Sequence, residues 1–299
     1  MSAAPLYLVS GASGQLGRRV LTHLLDTHAV APERIVAATR NPAALADLAA
    51  RGVEVREASF DDEEQLRSAF AGVTRALLIS TDRVDVPGAR TRQHLAAVRA
   101  AVAAGIQHVV YTSMMNPEPG SPVTALAPDH HATEQALAAS ALDWTVLRHC
   151  WYTDFLLYSL PPAVASGMLF SAAGDPGVVY VTREDCARCC AAALVADFQG
   201  RRKLDVTGPS AVNHAELAGI ASDITGKQIQ LVPQTADGLR AVLSSVGLPP
   251  PLVELSVSLD LNTLAGNVAT VSDTVRQLTG TPAQSVRDFL AANRQALGG

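Results

Sequence analysis

Short apolar runs alternate with amphipathic stretches along the first half of the chain. "LYLVS" (6–10), "RIVAAT" (34–39), "VEVREA" (53–58), "RALLIS" (75–80), "HVVYTS" (108–113) and "WTVLRH" (144–149) read as strands. The stretches between them, at 14–25, 42–51, 61–70, 91–104 and about 129–140, read as helices. The third of these opens on "DDEE", which places acidic residues where the positive end of a helix dipole favours them. Apolar strands in regular alternation with helices predict a parallel sheet covered on both faces, the α/β class. The expected fold is a Rossmann-type doubly wound sheet.

The rhythm loosens after residue 150. Proline and glycine accumulate at Pro161-Pro162, Gly174 to Pro176 and Pro249 to Pro251, and helical spacing dominates 213–225, 236–246 and 283–296. The expected organisation is a dinucleotide-binding domain over 1–150 and a smaller, mostly helical substrate region over 151–299. That region would pack over the C-terminal edge of the sheet, where open α/β sheets bind ligands, with some segments returning to the sheet.

Composition narrows the choices. With 48% hydrophobic and 17% charged residues, the 299-residue chain is globular rather than disordered. A formal net charge of -5 gives no electrostatic reason to expect nucleic acid or an anionic membrane as a partner. No apolar run reaches the roughly 18 residues of a membrane helix. The chain starts directly into "PLYLVSGASG", so no leader and a reducing cytoplasmic setting are expected. Three of the four cysteines, Cys186, Cys189 and Cys190, share one helix face, which suits either a metal or small-residue packing. No fourth ligand lies near in sequence, so packing is expected and no metal.

The segment 11–17 reads Gly11-Ala12-Ser13-Gly14-Gln15-Leu16-Gly17, directly after a strand and before a helix. In such a turn Gly11 permits the tight bend, Gly14 lets backbone approach a pyrophosphate, and Gly17 lets helix and strand pack closely. The helix N-terminus adds free N–H groups and a positive dipole end. The end of the second strand separates cofactors. A carboxylate there would bond a ribose 2′-hydroxyl, but this chain has Arg40, which suits a 2′-phosphate. NADPH is therefore the expected cofactor. Asp61 either meets the adenine or caps the following helix.

One expected device is missing. Ordinary short-chain dehydrogenases protonate the developing alkoxide with the tyrosine of a Tyr-x-x-x-Lys pair, whose lysine lowers the phenol's pKa. Four positions beyond Tyr7, Tyr111, Tyr152, Tyr158 and Tyr180 stand Gly11, Met115, Leu156, Pro162 and Glu184. The pair is absent. A conjugated acceptor such as a quinone, which spreads negative charge, needs less help from a protein acid.

"GASGQLG", "ATRNPAAL", "ASFDDEEQL", "LLIS", "VVYTS", "DHHATEQAL" and "LRHCWYTD" follow one another in the order found in NmrA-like atypical short-chain dehydrogenases/reductases. Over nearly its whole length, including "SAAGD", "VTREDCA" and "GLP", the chain resembles the NADPH:quinone oxidoreductase branch of that family. The resemblance implies a flavin-free site that passes hydride from NADPH directly to a quinone. Carried over by position, Gly11 to Leu16 would hold the pyrophosphate and Arg40 the 2′-phosphate. Ser80, Thr81 and Asp82 would line the cofactor, Thr112 and Ser113 would sit beneath the nicotinamide ribose, and His149 to Asp154, with Trp151 among them, would wrap the nicotinamide.

His130, in the pattern His130-His131-Ala132-Thr133-Glu134, matches a family histidine. It would give a proton or hydrogen bond to the reduced acceptor, with Glu134 one helical turn on to orient it. The expected catalytic pair is His130 and Tyr152. Met114, His149, Cys150, Trp151 and Phe155 are the expected acceptor contacts, the aromatic rings offering a flat wall or else simply core packing. The chain departs from the family at Leu147-Arg148-His149-Cys150-Trp151-Tyr152, where the quinone reductases read closer to L-R-N-G-W-Y. An imidazole then replaces an amide, and Cys150 adds bulk. The expected partner is a small conjugated acceptor. Two other readings fit: a nucleotide-sensing regulator without turnover, and a reductase of a biosynthetic enone or quinone methide.

Overall fold

A computed structural model describes residues 4–298. The first half runs β1 (Tyr7–Val9), α1 (Gln15–Thr22), β2 (Ile35–Thr39), α2 (Ala46–Ala50), β3 (Glu54–Glu57), α3 (Glu63–Phe70), β4 (Arg75–Leu78), α4 (Ala89–Ala103), β5 (His108–Met114), α5 (Ala127–Ala139) and β6 (Asp143–His149). Every expected strand and helix of this half is present, with ends displaced by one to a few residues. All five residues of β2 and all seven of β5 are buried, as strands covered on both faces require.

The chain then continues through α6 (Leu156–Ser166), β7 (Met168–Ser171), α7 (Arg183–Val195), β8 (Arg201–Val206), α8 (His214–Thr225), β9 (Gln230–Pro233), α9 (Ala236–Ser245), α10 (Pro250–Leu264), α11 (Thr274–Thr279) and α12 (Val286–Ala292). The main sheet has seven strands in the order β3-β2-β1-β4-β5-β6-β8, all parallel. Beyond residue 150 the chain thus returns to the sheet, with β8 pairing along β6 from Trp144–Arg201 to His149–Val206. β7 and β9 make a separate two-stranded parallel sheet. Pro161 and Pro162 lie inside α6 rather than punctuating a loop.

Two apolar layers sandwich the sheet. On one face Leu66, Phe70, Ala97, Ala101 and Leu137 of α3, α4 and α5 pack together. On the other, Val20 and Leu21 of α1 meet Cys186, Cys189, Cys190 and Leu194 of α7. The four cysteines are free and buried, and among the described residues no group of three or more His, Cys, Asp or Glu side chains is placed to hold a metal. Their small side chains fill the narrow space between helix and strands. Among the described residues no helix is long and apolar enough to cross a membrane.

Candidate active site

The C-terminal ends of β1, β2, β4, β5 and β6 open onto a cleft of about 550 Å³. Its first wall is the glycine turn. Gly11 has φ +59, a conformation glycine adopts without cost. A Cβ on Gly17 would stand 2.4 Å from the Gly11 carbonyl oxygen and 2.8 Å from Ala12 Cα, so only hydrogen fits there. Gly14 caps α1, and the amides of Gln15 and Leu16 have no acceptor within the helix, as at any helix start. Ser13 Oγ lies 2.8 Å from Thr39 Oγ1, tying the turn to the end of β2. Ala12 does not belong to the cleft surface. It is fully buried, and its N–H donates to Ala38 O at 3.1 Å, which turns that amide into the sheet.

Arg40 is exposed at the lip of the cleft, immediately after β2. Asp61 is not a helix cap: Asp62 caps α3, accepting from the amides of Glu64 and Gln65. Asp61 instead accepts from Gln93 Nε2 at 2.9 and 3.0 Å and lines the cleft. Gln93 Oε1 is buried without a partner. An orphaned acceptor beside a carboxylate suits the amino edge of an adenine.

Ser80, Thr81 and Asp82 line the middle of the cleft. Thr112, expected under the nicotinamide ribose, lies behind this wall: its Oγ1 accepts from Ser80 N at 2.9 Å and donates to Ser80 Oγ at 3.3 Å. The Thr81 amide donates to His94 Nε2 at 3.0 Å. Ser113 does reach the cleft, and its hydroxyl donates to Glu134 Oε1 at 2.7 Å.

Glu134 does not orient His130. Its buried carboxylate takes Ser113, Arg148 at 2.7 and 2.9 Å, and Lys203 at 2.7 Å, because β6 and β8 bring two cations to it. Burial alone would raise this carboxyl's pKa, but those hydrogen bonds prevail and hold it below the ordinary value. The partners of His130 are Arg90 Nη2, 3.0 Å from Nε2, and the Tyr111 hydroxyl, 2.8 Å from Nδ1. A guanidinium only donates, so Nε2 accepts and the ring proton sits on Nδ1, facing Tyr111. Burial first, then Arg90, His94 and His149, push the His130 pKa well below its ordinary value. His130 lines the cleft as a neutral ring with both nitrogens engaged, which removes the basis for a proton donor at this position.

The far end of the cleft is formed by Met114, Leu126, His149, Cys150, Trp151, Tyr152, Phe155 and Arg183. Met115, its neighbour in sequence, is buried in the core instead. Tyr152 and Phe155 stack with centroids 6.0 Å apart and planes 20° apart, and the Arg183 guanidinium lies 5.1 and 4.8 Å from their centroids. His149 Nδ1 is 3.0 Å from the Tyr152 hydroxyl, and burial pushes its pKa down to about 3. Trp151 Nε1 is a buried donor without a partner.

Arg90, Gln93, His94, Tyr111 and Arg183 were not among the expected site residues. Arg183 stands inside the quoted "VTREDCA", the one local signal available. Arg90 and Gln93 reach the cleft from α4, while His94 and Tyr111 stand behind its wall, holding the Thr81 amide and His130. All four are brought there only by the packing of α4 against α5 and β5.

A parallel sheet in this strand order, a glycine turn into a helix, and a cleft along the strand ends define a dinucleotide-binding protein of the Rossmann class. Residues 11–197 match the family model described as NAD(P)H-binding, and the chain belongs to that family. It is 36% identical to quinone oxidoreductase 2 of Escherichia coli K12, across 95% of this chain and 96% of the relative. It is 31% identical to (4-alkanoyl-5-oxo-2,5-dihydrofuran-3-yl)methyl phosphate reductase of Streptomyces griseus, across 97% and 99%. The structure of the Escherichia coli NADPH-dependent quinone oxidoreductase in complex with NADPH superposes with TM-score 0.90 at 34% identity, covering 97% of this chain and all of that one (100%). These relatives bear out the resemblance read from the sequence, the oxidoreductase class and NADPH as cofactor.

Proposed function

We propose that the protein is a flavin-free reductase that passes hydride from NADPH directly to a quinone or similar conjugated acceptor. The observation that carries this reading is one cleft joining the glycine turn to an aromatic end wall of Trp151, Tyr152 and Phe155. The residues present fit the dinucleotide. Gly11, Ser13 to Leu16 and the start of α1 would hold its pyrophosphate, Arg40 its 2′-phosphate, and Asp61 with Gln93 its adenine. Bound there, the cofactor supplies a hydride at its nicotinamide ring.

The chain's own part is binding, orientation and proton supply. Ser80 to Asp82 and Ser113 line the cofactor, and Trp151 and Phe155 present flat faces to a planar acceptor. With His130 held neutral between Arg90 and Tyr111, the remaining candidate for proton donation is the Tyr152 hydroxyl, held 3.0 Å from His149. It is a weak acid, because burial raises its pKa well above the ordinary phenol value. The four free thiols fit a reducing, cytoplasmic setting.

The replacement at His149-Cys150 favours a second reading. Cys150 lines the cleft where the quinone reductase pattern has glycine, and a relative at 31% identity is named for reducing an oxo-dihydrofuran phosphate. An enone acceptor of that kind fits the same geometry. The test is to titrate the protein with NADPH and NADH by nicotinamide fluorescence, then follow oxidation with small benzoquinones and naphthoquinones. Quinone-dependent oxidation of NADPH is expected. Tight NADPH binding with no turnover on any quinone would move the reading to a sensor or to the enone.

A further inference from the structure

Charge is distributed unevenly along the cleft. Two carboxylates line it, Asp61 and Asp82, and both belong to the side built by the segments following β3 and β4. Arg40 and Arg83 line that same side, so its charges offset one another, whereas the acceptor end presents guanidinium groups and no carboxylate. Arg183 lies over the rings of Tyr152 and Phe155, and Arg90 stands beside His130. Their counter-ions, Asp154 and Asp129, are absent from the cleft lining, so each pair turns its positive partner towards the opening.

Neither pair saturates its arginine. Arg183 Nη1 is 3.3 Å from Asp154 Oδ1, while the same aspartate's other oxygen takes the Arg183 amide at 2.8 Å. Arg90 Nε is 3.2 Å from Asp129 Oδ2 but misaligned for a hydrogen bond, which leaves a donor on a side chain only 7% exposed without a partner. A guanidinium stacked on aromatic rings offers its edge to an oxyanion and continues a planar surface.

Resting on the reductase reading above, we propose that the natural acceptor is a planar conjugated molecule carrying an anionic group, such as a carboxylate, sulfonate or phosphate. Its ring lies against the aromatic wall and its anion is read by Arg183 and Arg90. The carboxylates behind the two arginines keep the site near neutrality when it is empty. The expected preference over an uncharged acceptor of the same shape is therefore moderate, about tenfold.

The first measurement is calorimetric, on the protein saturated with NADP+ so that the dinucleotide phosphate sites are filled. Naphthalene-2-sulfonate is compared with naphthalene-2-methanol, neither of which can be reduced. The sulfonate should bind about tenfold more tightly, with the advantage shrinking as salt is raised. The second measurement is the ratio of kcat/KM for 1,4-naphthoquinone-2-sulfonate to that for menadione. Within each protein this ratio should fall towards one in Arg183→Gln and Arg90→Gln and be largely kept in Arg183→Lys. Equal or weaker binding of the sulfonate overturns the proposal. So does a preference that persists in both glutamine variants, because the anion is then read elsewhere. If no quinone is reduced at all, the quinone reading fails while the calorimetric comparison still decides the charge preference.

Discussion

Arg90 and His130, 40 positions apart in sequence, meet with the guanidinium Nη2 3.0 Å from the imidazole Nε2. The contact fixes a histidine that is buried, neutral and adjacent to a permanent cation. His94, on the same side of the sheet, is pushed down to about 3 by burial and then by Arg90, and burial takes His149 to the same value. These rings stay unprotonated in the folded protein while the unfolded chain titrates near the ordinary 6.5.

The sign of the pH dependence follows. Between the ordinary value and about 3 the unfolded state binds more protons, so stability is full above pH 6.5 and falls as pH drops towards 3. From pH 7 to pH 5 each such histidine is expected to remove about 2 kcal/mol. Urea unfolding at the two pH values measures it, and His94→Gln should flatten the slope. An unchanged midpoint between pH 7 and pH 5 would refute the buried neutral assignment.

Gly17→Ala tests the glycine turn without touching a functional group. The new methyl would press on the Gly11 carbonyl at 2.4 Å, backbone against backbone, with no flexible side chain to yield. A loss of about 1–3 kcal/mol in folding stability is expected, together with weaker NADPH binding. Thermal unfolding and fluorescence titration read the two effects. Wild-type values for both would mean that α1 is free to shift away from β1.

The same contrast runs through what the sequence could and could not convey. The glycine turn and the strand–helix alternation were legible because each depends on neighbours within a few residues. Ala12 was misplaced because a motif names a segment, whereas the direction of each amide decides which atoms face a ligand; this one faces Ala38. The His130–Glu134 spacing was read correctly as one helical turn. What the spacing could not reveal is that Arg148 and Lys203, arriving on β6 and β8, hold the carboxylate instead. Arg90, His94 and Tyr111 look like ordinary helix and strand residues until α4 is laid against β5. Likewise β8 is a polar edge strand, "RRKLDV", without the apolar run that marked the central strands.

Arg40 carries the preference between nicotinamide cofactors in the proposed function. Arg40→Ala should weaken NADPH binding by about 10- to 100-fold, the range of a lost charged hydrogen bond. NADH binding should change by less than about threefold, since it has no 2′-phosphate for the guanidinium to meet. Parallel fluorescence titrations with the two nucleotides give the comparison. An equal loss for both would place Arg40 in the fold and remove it from cofactor choice.

Glu134 is the residue whose loss should cost the most for the smallest change. Its side chain is 1% exposed and accepts from Ser113, Arg148 and Lys203, which join α5 to β5, β6 and β8. Glu134→Gln keeps the shape but removes the charge. Arg148 retains Glu118 at 2.5 Å on its exposed side, and Lys203 is 40% exposed and can turn to water, so part of the loss is recovered. The buried side of Arg148 then faces a neutral amide, and a loss of about 3 kcal/mol is expected for an ion pair broken from one partner. Because Ser113 lines the cleft, NADPH affinity should fall in the same variant. Urea denaturation at pH 7 gives the stability and fluorescence titration the affinity. A loss below about 0.5 kcal/mol, the scale of an exposed pair, would mean that water has taken over the carboxylate's role in a site the fold keeps closed.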